Sequence, residues 1–438
     1  MKQKGRMFLF LGIIFPVWTG TLEALEDYLA EAGQSAPFVE LVEPLVETLQ
    51  EFPYVLLGES THGTAEFYRS RAKISRALLE AGTHRRIVVE GDWSAMARAN
   101  AYVLHETGDD RTIRGILAGH DRWPHWMWGN EEFAELLAWM REANRELPVE
   151  ERFRVYGMDI YAWPEDWDAV ADWLTKTRSE EEVAAINEAM APLLRHRDNW
   201  GRYGEEAWVY RTRGPQTIPP ALAQIRGWID ASGLPSRAQA YLRVKVNAVA
   251  AAELHLRTSR LSQAESWNAR ARHMKEAVVM LGSPEEWGGV IVWAHNTHIG
   301  DARATPMREH GMVNIGRLLR EYAGEENVYL LGQTTGTGSF WAGRQWGGTP
   351  EVMHHPQPTS GSLEDLLLKI FPDQPGWVSM AKAREAGREF PVIGHRAIGV
   401  LYQGGRPGGN DVPTLLPLRY DGLLFFPVTE ALTPLAGN

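Results

Sequence analysis

Cysteine is absent from all 438 residues, so the chain has no disulfide framework, no thiolate metal site and no cysteine nucleophile. Positive charge is in deficit. Lys and Arg number 45 against 56 Asp and Glu, a formal charge of −11, and no long basic stripe is present, which argues against a nucleic-acid partner. No apolar run is long enough to span a bilayer, because the nearest one, in MKQKGRMFLFLGIIFPVWTG, is interrupted by Pro16. Internal repeats and low-complexity tracts are lacking too. So is the G-x-S-x-G elbow of serine hydrolases, and the hydroxyls of Ser60 and Thr61 lack the sharp glycine-flanked turn that exposes a nucleophile. Chemistry is left to His, carboxylates, hydroxyls and Arg.

Residues 1–20 have the basic and apolar outline of a secretory leader without an A-x-A-like cleavage site. They read as a leader or tail preceding the domain of a cytoplasmic protein, with export as the alternative. With 44% hydrophobic and 23% charged residues, the rest is an ordinary globular composition that buries a full core. Short β-branched runs alternate with helix-period stretches, the pattern of an α/β fold with a largely parallel sheet flanked by helices. The strand candidates are 53–58, 85–91, 153–159, 288–296 and 327–333, with later strands in HRAIGVLYQ and YDGLLFFPV. The helix AEFYRSRAKISRALLEAG is expected to stop at Gly82. Strand signal vanishes over about 164–285. The segmentation expected is therefore an α/β core over 21–163, a helical insertion over 164–285, a second core segment over 286–335 and a smaller α+β region over 336–438.

Ligands of open parallel sheets gather at the carboxyl ends of the strands. Here those ends carry ionisable groups: Glu59, Thr61 and His62; Glu90, Asp92 and Trp93; Asp159 and Tyr161; His295, Asn296 and His298. Each has an ordinary explanation when taken alone. Glu59 would cap the next helix, Glu90 would be a buried ion-pair member, and the H-x-x-H spacing of His295 and His298 is common. Four apolar runs ending this way favour a site. Arg71 and Arg69, on the helix after the first motif, reach either the rim or solvent from spacing alone.

A histidine beside a carboxylate acts as a general base toward water, the carboxylate fixing its tautomer, and an arginine stabilises the negative charge of a tetrahedral intermediate. That reaction needs no cofactor. The rival reading takes Glu59, His62, Glu90 and His295 as the shell of one divalent metal such as zinc or manganese, which would itself activate water.

GESTHGTAEFYRSRAKISRALLEAG with VVEGDW, WPHWMWGNEEFAELLAWMREAN, YGMDIY, RARHM, WAHNTHIGDARAT, RAIGVLYQ and LPLRYDGLLFF resembles the erythromycin esterase family, over roughly Thr21 to Leu435. The resemblance implies an α/β core interrupted by a helical region, and hydrolysis of a macrolide lactone or another ester of a small molecule. Some relatives carry a succinoglycan-biosynthesis label and have no established substrate. By resemblance His62 is the catalytic base, Glu59 its partner acid, Arg71 the helix arginine, Glu90 the acid of the second strand, and His295 and His298 the histidines of A-H-N-x-H. GGRPGGNDVP departs from the family by lacking an aromatic after its glycine-rich turn.

Eighteen tryptophans are present. Large aromatics usually fill cores, but a cleft for a bulky ligand also uses rigid aromatic walls. Trp93, Trp126 and Trp128, with Asp92 and Asp159, are the candidate substrate-binding residues. The non-catalytic alternative is a binding protein for a bulky apolar or haem-like ligand.

Overall fold

The computed structural model describes residues 20–106, 112–119, 122–210, 216–281, 284–404 and 408–435. All but the last residue of the expected leader lies outside them. Eleven strands occur among the described residues: β1 Gly33–Ser35, β2 Tyr54–Leu57, β3 His84–Asp92, β4 Arg154–Asp159, β5 Gly289–Trp293, β6 Val328–Gly343, β7 Pro350–His354, β8 Gly376–Ser379, β9 Ile393–Arg396, β10 Asp411–Thr414 and β11 Gly422–Thr429. Nine form one sheet in the order β1-β8-β11-β6-β2-β5-β3-β4, with β7 on the far half of β6, while β9 and β10 pair separately. The six strands from β11 to β4 are parallel, and β1, β7 and β8 join antiparallel.

The parallel strands are nearly continuous apolar runs because both faces are covered. Alternation divides them cleanly. Val55, Leu57, Ile87, Val89, Ile291 and Trp293 point into one core layer, beneath helices that include Phe38–Leu49, Ala65–Glu80 and Glu131–Ala143. Tyr54, Leu56, Val88, Val290 and Val292 point into the other, against helices that include Leu22–Ala32, Gln263–Met280 and Ile315–Ala323. Helix Ala65–Glu80 ends two residues before Gly82, whose φ of +76° turns the chain into β3. Between β4 and β5 the described residues contain helices and no strand, and Trp163, Trp167, Ile186, Ile225 and Val249 give this stretch its own core.

Two strand expectations differ from the structure. HRAIGVLYQ is a strand only through Arg396. Beyond it the backbone N–H groups go to three separate partners, Ala397 to Asn410, Ile398 to Ser60 and Tyr402 to Gly343, so no ladder forms. Conversely, the strand expected over 327–333 continues to Gly343. Its glycines are needed there: a Cβ on Gly338 would lie 1.9 Å from the Thr429 carbonyl oxygen of the adjacent strand. Among the described residues no helix is long and apolar enough to cross a membrane.

Candidate active site

Neighbouring strands β2, β5, β3 and β4 deliver their carboxyl ends to one edge of the sheet, and the order brings together groups far apart in sequence. The loop after β2 is held from both sides. Gly58 packs so close to Asn296 that a Cβ would sit 2.0 Å from its Oδ1, and the Gly63 carbonyl accepts N–H groups from Trp341 and Leu432. This fixed loop carries Glu59 and His62. His62 Nδ1 meets Glu59 Oε1 at 2.9 Å, and Glu59 Oε2 pairs with Arg71 Nη2 at 2.8 Å. Burial opposes charge on His62, yet the hydrogen bond to Glu59, followed by the charge of Glu90, outweighs it and raises its pKa above the ordinary value.

Arg71 neither lines the rim nor faces solvent. It is 0% exposed, its Nε donates to the Phe67 carbonyl, and its guanidinium lies 4.4 Å from the Tyr68 ring centre and 4.8 Å from that of Trp293. The inward face of the helix dictates this position, behind Glu59 as seen from His62. Arg69 lies on the outer face with Glu66 and Glu132.

Glu90 receives the backbone N–H of His295 on Oε2 at 2.9 Å and Arg270 Nη2 on Oε1 at 2.9 Å, with His298 Nε2 3.1 Å from Oε1. Burial alone would raise its pKa, but His298, then His62 and Arg270, hold it well below the usual carboxylate range. His295 has both ring nitrogens engaged. Nδ1 accepts the Thr297 N–H at 3.2 Å, so Nε2 carries the proton and faces the carbonyls of Ser60 and Ile398, each at 3.1 Å. Burial, reinforced by His62, pushes its pKa well below the ordinary value. It is a neutral strut that ties the β2 loop to the end of β5.

Among the described residues, no group of three or more His, Asp and Glu is placed to hold a metal ion. Glu59 is committed to His62 and Arg71, and His295 is committed to backbone groups. The alternative shell of Glu59, His62, Glu90 and His295 therefore does not fit a metal.

These groups form the floor of a cavity of about 970 Å³ that His62, Glu90, Asp92, Asp159, His295 and His298 line. Asp92 pairs with Arg122 at 2.8 Å, and burial, with Asp159 beside it, raises its pKa to about 7. Trp128 lines the wall and donates to the Glu90 carbonyl. Trp93 and Trp126 do not. Trp93 stacks on Tyr156 in the layer beneath the sheet and Trp126 is buried in the opposite layer, because each follows its element's core-facing side. The aromatic wall is made instead by Trp123, Trp128, Tyr161, Trp267 and Trp346, with Trp123 and Trp346 in contact at 4.6 Å between ring centres. Sequence reasoning missed Trp267, Trp346 and above all Arg270. RARHM was visible as a motif, but the 180 residues separating Arg270 from Glu90 hid what it touches.

A parallel α/β sheet with a carboxylate-backed histidine under a large cleft defines a class of candidate hydrolases. The erythromycin esterase family model matches residues 80–429, and the chain belongs to that family. Three solved structures share the fold. A succinoglycan biosynthesis protein is 16% identical, with 94% of this chain and 98% of that one covered and a TM-score of 0.73. A Bacillus cereus protein is 17% identical, covering 95% and 99%, with a TM-score of 0.74. A mutant of the erythromycin esterase EreC in its open conformation is 17% identical, covering 91% and 95%, with a TM-score of 0.65.

Proposed function

We propose that the protein hydrolyses a carboxylic ester by direct attack of a water molecule activated at His62. The observation that carries this reading is the Arg71–Glu59–His62 chain, which ends with His62 on the cavity wall. Arg71 pairs with one oxygen of Glu59, the other accepts the Nδ1 proton, and Nε2 is left with a lone pair toward the cavity. Nε2 takes a proton from water as the oxygen bonds to the ester carbonyl carbon. The tetrahedral intermediate then expels the alcohol, which recovers the proton from the His62 imidazolium. No covalent enzyme intermediate is needed. Charge on the carbonyl oxygen is met by a cation on the cavity wall, Arg122, rather than by Arg71, which the wall excludes.

The cavity lies at the upper end of the roughly 300–1,000 Å³ typical of ligand pockets, and its aromatic walls suit a bulky ester. Family membership makes a macrolide lactone the first candidate substrate. Incubation with erythromycin-class macrolides and simple esters, read by mass spectrometry, is expected to show gain of one water by wild type and loss of about 10²-fold or more in rate for His62→Asn. Wild-type turnover by His62→Asn overturns the role given to His62, and binding without turnover on every ester favours a binding protein. We place the protein in the cytoplasm, where lack of cysteine carries no penalty; cell fractionation tests this.

A further inference from the structure

Arg270 joins groups from three strand ends to the helical segment between β4 and β5. It projects from helix Gln263–Met280. Its Nε and Nη2 take the two oxygens of Asp159 at 2.8 and 2.6 Å, Nη2 also donates to Glu90 Oε1 at 2.9 Å, and Nη1 lies 3.1 Å from His298 Nε2. The guanidinium carbon is 5.3 Å from the Tyr161 ring centre. Because a guanidinium is planar and rigid, one that engages three partners also sets the spacing between them.

The contacts have a chemical consequence. Arginine only donates and a carboxylate only accepts, so His298 Nε2, 3.1 Å from both Nη1 and the Glu90 oxygen, is held between a donor and an acceptor. Glu90 and Asp159 also share a single nitrogen of Arg270. That cation is therefore shared by two carboxylates, and it tethers Glu90 to Asp159, while His298 and His62 also favour the charge of Glu90.

We propose that Arg270 is a positioning residue of the reaction: it holds the Glu90 carboxylate beside His62 and fixes the His298 ring, so the helical segment completes the site rather than covering it. The role in the reaction rests on the hydrolytic reading of His62. His62 is faced by Glu59, Glu90, Arg71 and His295. Arg270 is faced by Glu90, Asp159, His298 and Tyr161, with His255 in its field. Loss of Arg270 therefore reaches His62 through Glu90: a carboxylate no longer held beside His62 favours the imidazolium less, and His62 titrates at lower pH.

The test uses full-length wild type, Arg270→Gln and Arg270→Lys. Titration of ¹⁵N-labelled histidine by NMR follows His62 and His298 with no substrate present. Arg270→Gln is expected to move the His62 midpoint to lower pH, and Arg270→Lys, which keeps the charge but not the fork, to retain that midpoint while altering the His298 resonances. On an ester that wild type hydrolyses, Arg270→Gln is expected to lose about 10²-fold in kcat, the scale of a misplaced catalytic group, with a much smaller change in KM. Its acid limb should move as the NMR midpoint moves, and Arg270→Lys should recover it. An unchanged His62 titration with unchanged His298 resonances in an Arg270→Gln protein with wild-type circular dichroism overturns the proposal. Should Arg270→Gln fail to fold, unchanged His298 resonances in Arg270→Lys overturn it equally. Absence of turnover by wild type counts against the hydrolytic reading alone, because the NMR comparison needs no turnover.

Discussion

Arg71 Nη2 stands 2.8 Å from Glu59 Oε2, while the other oxygen of the same carboxylate meets His62 Nδ1 at 2.9 Å. The arginine thus holds the histidine through the acid, while its own charge opposes that of the imidazolium. With no exposed surface, it has no path to a substrate.

Glu59→Gln is the sharpest probe of that chain. An amide accepts the Nδ1 proton less well and contributes no charge, so the hydrogen bond that raises the pKa of His62 is weakened. kcat is expected to fall by roughly 10²–10⁴-fold, the scale seen for general bases and for loss of a triad carboxylate. Arg71→Met should instead cost stability, about 3–5 kcal/mol for a buried carboxylate left without its partner. Steady-state kinetics on the first variant and urea denaturation on the second check this; equal stability loss in both would make Glu59 merely structural.

The pH profile follows from the sign at His62. Its pKa lies above the ordinary 6.5, and the base works unprotonated. kcat/KM is therefore expected to rise with pH through an inflection above 6.5. In Glu90→Gln one of the charges that raises this pKa is gone, so the inflection moves to lower pH even as activity falls. An inflection that stays put, or moves up, would show that Glu90 does not govern the base.

Groups outside the cavity also make the fold sensitive to acid. Burial drives the His84 pKa down to about 4, so between 6.5 and 4 the unfolded chain binds the extra proton and stability falls as pH falls. For Glu364, burial acts upward but His395 and Arg396 bring the pKa to about 2; its contribution is present above 4.5 and is lost as pH drops toward 2. Both groups weaken the fold on acidification, in successive windows. Denaturation midpoints measured across pH are expected to decline first between 6.5 and 4, and His84→Gln should flatten that segment. A protein equally stable at pH 4 and 7 would refute the assignment.

Much of the fold was legible because covered parallel strands are written as apolar runs: 53–58, 85–91, 153–159 and 288–296 each coincide with a strand of the sheet. The strand expected over 327–333 was read ten residues short of its end at Gly343. Gly336 and Gly338 lie inside β6, where they let an adjacent backbone approach. HRAIGVLYQ falls short in the other direction past Arg396, since strand composition forms no ladder when its hydrogen bonds are divided among three partners.

The sequence by itself determined which chemical groups stand at the strand ends, because that depends only on local order: an apolar run, then Glu59 and His62, Glu90, Asp159, or His295 and His298. Tertiary structure alone decided their relations. Strand order put β5 between β2 and β3, which brings His295 beside His62 and Glu90. Helix phase took Arg71 behind the acid and left Trp93 and Trp126 in the core. Packing of Gln263–Met280 against the sheet brought Arg270 to carboxylates 111 and 180 residues away. Such contacts depend on the three-dimensional arrangement of elements distant in the chain, and residue spacing along one sequence does not encode it.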